Sequence, residues 1–129
     1  MRITVVERTA AALLAAEGVG LLVLLGWQIV AIVTGDTDSV ASAVALIVLT
    51  ALGAAAVLGF AVATWIGQSW GRSGGIVTQL LILAVAFGAA TGDYGHPAVA
   101  VALAAPAVVI GICLVAAARA AGGRRPAAE

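Results

Sequence analysis

The sequence contains no lysine and no asparagine, and only one cysteine, one histidine and three prolines. Each shortage excludes something. With Cys113 alone an intrachain disulfide is impossible, and one histidine without a cysteine cluster leaves none of the spacings that hold structural zinc. Charge is scarce too: six arginines and six acids give a formal net charge of zero, so there is no broad basic surface to hold nucleic acid. Charged side chains are 9% of the 129 residues and hydrophobic ones 64%. With a mean hydropathy of +1.20, such a chain cannot hide its apolar side chains from water as a soluble globule would, so lipid must be the solvent.

What the chain does have is long apolar runs. The first resembles a signal peptide only superficially: Arg2 and Arg8 precede it, but from Ala10 to Val33 it runs for about 24 residues, well beyond a signal core of ~7–15, and no small-x-small cleavage site ends it. Four helices are expected, over about 10–33, 40–67, 75–91 and 97–119. The expected fold is an all-α bundle of four transmembrane helices, one domain over residues 1–121, followed by a disordered tail over 122–129. Turn chemistry fits the gaps. Gly35 suits a left-handed helix terminus and Asp38 or Ser39 an N-cap; residues 68–75 read as a polar, glycine-rich turn; Gly92-Asp93-Tyr94-Gly95-His96-Pro97 ends one helix with glycine and starts the next with proline. Pro106, inside the fourth run, predicts a kink that faces the bundle or is satisfied by a neighbouring group rather than open to lipid.

The arginines predict orientation. Arg2 and Arg8 precede the first run, Arg72 lies between the second and third, and Arg119, Arg124 and Arg125 follow the fourth, while Asp36, Asp38 and Asp93 occupy the other loops. The positive-inside rule puts both termini in the cytoplasm, and the plasma (inner) membrane is the expected location. Trp65 and Trp70 at one boundary, with Tyr94 at the other, suit interfacial aromatic belts.

Few polar residues fall inside the runs. Glu17 lies too deep to be interfacial, and Gln68, Arg72 and Gln79 are expected to meet it in the inner third of the bundle as an intramembrane polar cluster. Two readings follow: a hydrogen-bonded carboxyl that fixes helix packing, or a proton- or cation-coupled carboxylate at a substrate site. In the second run Ala55, Gly59, Ala63 and Gly67 recur every four residues, extending a small-residue ridge from Ala51 along which another helix can approach closely. Enzyme chemistry has little to stand on. His96 lies in a loop beside Pro97, the serines lack a nearby histidine base, and Gly71-Arg72-Ser73-Gly74-Gly75 lacks the strand and lysine of a phosphate loop. No catalytic, cofactor-binding or metal-ligating residue is assigned.

The stretch Ser69-Trp70-Gly71-Arg72-Ser73-Gly74-Gly75-Ile76-Val77-Thr78-Gln79-Leu80-Leu81-Ile82-Leu83 resembles a signature, S-W-x-R, a short small-residue spacer, then Q-L-L-x-L, of small four-helix integral membrane proteins of actinobacteria. That resemblance implies fold and topology over most of the chain and transfers no activity. Leu14-Ala15-Ala16-Glu17-Gly18-Val19-Gly20 is similar to the helix-one pattern of small multidrug-resistance transporters, whose aromatic-rich second and third helices are missing here. The expected function is therefore that of a non-enzymatic membrane protein, an accessory or assembly subunit of a larger cell-envelope complex or a self-associating bundle. Its expected partners are the lipid bilayer and either another integral membrane protein or a second copy. The alternative is a homodimeric proton- or cation-coupled transporter acting through Glu17.

Overall fold

A computed structural model describes residues 3–124, and within them the chain forms four α-helices and no strand. Helix α1 spans Val5–Val33, α2 Val40–Trp65, α3 Ser69–Thr91 and α4 Pro97–Gly122. All four are long and apolar enough to cross a membrane. Arg2, Arg125 and the remainder of the expected tail lie outside the described residues.

Two helix starts lie upstream of where the apolar runs alone put them. Helix α1 begins at Val5 rather than near Ala10 because Thr4 and Glu7 form a capping box: the Glu7 N–H donates to Thr4 Oγ1 at 3.3 Å and the Thr4 N–H to Glu7 Oε2 at 2.8 Å. Helix α3 begins at Ser69, so most of the stretch that reads as a glycine-rich turn is helix. There the glycines serve proximity. A Cβ on Gly71 would lie 2.6 Å from both Ala63 Cβ and the Thr64 backbone nitrogen, so glycine is what lets α3 pack directly on α2.

The loops are short because two helix ends close on themselves. Gly35, at φ +74°, donates to Ile32 O at 3.1 Å, and Asp36 N–H reaches back to Ala31 O at 2.9 Å. Gly67, at φ +81°, repeats the pattern with Thr64 O at 3.1 Å, while Gln68 N–H bonds Ala63 O at 2.7 Å. These are Schellman closures, and both need a residue that tolerates positive φ. Ser39 caps α2 by accepting from the Ser42 N–H, and Pro97 opens α4. Helix α4 continues through Pro106, which is exposed along a groove between α1 and α4 rather than turned into the bundle.

The core is confined to one half of the bundle. Ala10, Leu14, Val57, Ala61, Ile110, Leu114 and Ala117 form it, all toward the end that carries the chain's described arginines. Toward the opposite end Ala86, Ala100 and, near mid-span, Ala107 are buried hydrophobic residues, and a 3.0 Å hydrogen bond from Gln28 Nε2 to Thr50 Oγ1 joins α1 to α2. Helices α1 and α2 pack as one hairpin and α3 and α4 as another. The hairpins are joined near the arginine end through this core, and beyond it a groove opens between α1 and α4.

Candidate functional site: two carboxyls at two levels

Helix α1 carries two glutamates on inward-directed positions, and α3 answers each of them. Glu7 and Glu17 are ten residues apart, and Arg72 and Gln79 seven, so the pairs occupy levels separated by roughly 10–15 Å at ~1.5 Å per residue. The expected single cluster is therefore divided. Glu17 meets Gln79, Arg72 meets Glu7, and Gln68 meets neither: its side chain is exposed and its backbone closes the end of α2.

At the lower level Glu7 is fully buried. Its Oε1 accepts from Arg72 Nη1 at 3.3 Å, and both carboxylate oxygens accept from Arg124 Nη2 at 2.8 Å. Thr4 contributes a backbone N–H at 2.8 Å and its hydroxyl at 3.0 Å. Arg72 also donates to Gly67 O at 3.2 Å, tying the α2–α3 turn into the network. A buried carboxylate needs this many donors, because removing it from water is repaid only when its lone pairs are filled. Nearby, Arg8 stacks 5.6 Å over the Trp65 ring and Phe60 meets Trp70 edge-on at 6.0 Å. Sequence reading passed over Glu7, yet Thr4-x-x-Glu7 is a legible capping box that places this acid in the first helical turn.

At the upper level, near the middle of both helices, Gln79 Nε2 donates to Glu17 Oε2 at 2.7 Å. Gln79 is only 2% exposed, and its Oε1 is buried without a hydrogen-bond partner. Glu17 is half-buried and faces the α1–α4 groove, a space of about 670 Å³ with otherwise apolar walls that include Leu13, Gly20, Ile82 and Pro106. Pro106 has no N–H, which deprives the Ala102 carbonyl on the same wall of its helical donor. Gln79 also lines a second groove of about 470 Å³ between α3 and α4, with Arg119 among its lining residues.

The small-residue ridge divides as well. Ala63 is buried against Gly71, whereas Ala55 is exposed and a Cβ on Gly59 would touch nothing within 4 Å. Gly67 leaves the ridge altogether, since α2 ends at Trp65 and Gly67 adopts the left-handed cap. Of this ridge, Ala63 is the residue packed on α3.

His96 is the N-cap residue of α4 and makes no side-chain cap bond, and among the described residues no group of three or more His, Cys, Asp or Glu side chains could hold a metal ion. The fold and its two carboxyl levels define an all-α four-helix bundle of multi-pass membrane type. No family model, curated protein or solved structure matches the chain.

Proposed function

We propose that this chain is a non-enzymatic subunit of the plasma (inner) membrane, with both termini cytoplasmic, that acts within a larger cell-envelope complex or as a self-associating bundle. One observation carries the reading: the Glu17–Gln79 pair sits near mid-span and opens sideways onto the α1–α4 groove, with a buried amide oxygen unpartnered. Polar groups at that depth are costly in lipid and are ordinarily satisfied by neighbouring protein. The segregation of arginines from Asp36, Asp38 and Asp93 supports the orientation. The resemblance to actinobacterial four-helix proteins fits the same reading. The arginine and glutamine of the S-W-x-R…Q-L-L-x-L pattern, Arg72 and Gln79, are the residues that answer the two glutamates of α1, as a packing motif would require.

The test is the native mass of the tagged chain extracted from its own membranes in a mild detergent. A defined species heavier than the 12.6 kDa single chain supports the subunit reading; a monodisperse single chain overturns it. A second reading, a homodimeric transporter coupled through Glu17, is favoured by the groove beside that carboxyl. It requires proton release on adding a cationic compound, lost in Glu17→Gln.

A further inference from the structure

The polar atoms that the α1–α4 groove offers are almost all acceptors. They are the Glu17 carboxyl and the Ala102 carbonyl that Pro106 leaves without its helical donor, with Gln79 behind them and its Oε1 buried. The amide nitrogen of Gln79 is the one donor among them, and it is already engaged by Glu17 Oε2 at 2.7 Å. Gln79 is only 2% exposed, so the Glu17 carboxyl is the polar group that an approaching side chain meets. Small residues, Ala16 and Gly20 on α1 with Ala102 on α4, line the approach, so a further helix can come close to these acceptors.

A second copy of this chain does not complement them. It has no lysine, its described arginines, Arg8, Arg72, Arg119 and Arg124, lie at or just beyond helix ends and its single histidine precedes α4, so among the described residues a copy would bring another Glu17 and no cation at that depth. We infer that the groove seats a transmembrane helix of a different protein that presents one basic side chain at mid-membrane depth, against the Glu17 carboxyl. This deepens the subunit reading and rests on it. Charge complementarity selects the partner, and the apolar walls accept the rest of its face.

The probe is a synthetic leucine–alanine transmembrane peptide of about 20 residues with one central lysine. It is titrated against the full-length chain in phosphatidylcholine–phosphatidylglycerol vesicles, with association read by energy transfer. The lysine peptide is expected to bind at least tenfold tighter than the same peptide with leucine at that position, and Glu17→Gln is expected to erase the difference. Moving the lysine two turns toward either end is expected to erase it as well, and this arm leaves the protein unaltered should the variant fail to fold. Equal binding of the lysine and leucine peptides, or a preference that survives in folded Glu17→Gln, overturns the inference. So does Glu17-dependent binding of tetraphenylphosphonium without discrimination between the peptides, which identifies a small-cation site instead. If the native species keeps its mass in Glu17→Gln, this docking mode falls and the subunit reading stands; if the wild-type chain is a lone monomer, both fall.

Discussion

Arg124, just beyond α4, places Nη2 2.8 Å from both carboxylate oxygens of Glu7 in the first turn of α1, a contact across 117 positions of sequence. It brings the two described ends of the chain together at one end of the bundle. Arg72 approaches the same carboxylate from α3, so three segments converge on one acid. The core begins immediately above it, at Ala10 and Ala117.

Removing Glu7 should therefore be costly. Glu7→Ala leaves Arg72 buried without its counter-charge, and a loss of about 3–5 kcal/mol is expected. Arg124→Ala removes a partner whose side chain is 32% exposed, and about 1 kcal/mol is expected. Unfolding in mixed micelles measures both, and equal losses would show that the Glu7 network is not the closure described.

At the upper level the hydrogen bond of the side chain is expected to matter more to stability than its charge. Glu17→Gln keeps a hydrogen-bonding group beside Gln79 and is expected to leave stability nearly unchanged. Glu17→Leu strands the buried Gln79 amide and is expected to cost about 1–2 kcal/mol. The same unfolding assay separates them. A large loss in Glu17→Gln would mean that the carboxyl itself, rather than its hydrogen bond, holds the helices.

Two glycines should behave oppositely. Gly71→Ala puts a methyl 2.6 Å from Ala63 Cβ and the Thr64 nitrogen, so α3 must move away from α2, at about 1–3 kcal/mol. Gly59→Ala meets open space and is expected to be neutral or to stabilise by up to ~1 kcal/mol through helix propensity. Comparable destabilisation at both positions would contradict the close approach of α2 and α3 at Gly71.

These contrasts mark what a sequence discloses. Four apolar runs, the cap glycine Gly35, the N-cap Ser39 and the start of α4 at Pro97 follow from period, length and local turn chemistry, and all are found in the structure. The start of α3 did not follow, because Gly71 and Gly75 are ambiguous between turn and contact until the opposite helix is known. At Gly71 that partner is Ala63; at Gly75 the side chains of Leu14 and Leu114 close in. Gly67 belonged to a four-residue spacing and proved to be a cap, since spacing is blind to where a helix stops. Glu17 and Gln79 were legible as a pair from depth. Arg72 was assigned to the wrong acid because Glu7 sat outside the apolar run and was not counted as part of the helix.

Orientation has its own test. With Cys113 replaced by serine, single cysteines at Thr37 and Tyr94 should react with an impermeant thiol reagent added outside intact cells, and one at Ser73 should not. The reverse pattern would turn the bundle over in the membrane.

The most direct measurement of the central claim, that the α1–α4 face is where this protein meets another, is site-specific photo-crosslinking in living cells. A benzophenone side chain at Ala105, on the groove wall, is compared with one at Val77, exposed on α3. The account predicts one discrete crosslinked protein species from Ala105 and none from Val77. Lipid adducts alone at both positions, or the same species from both, would contradict it.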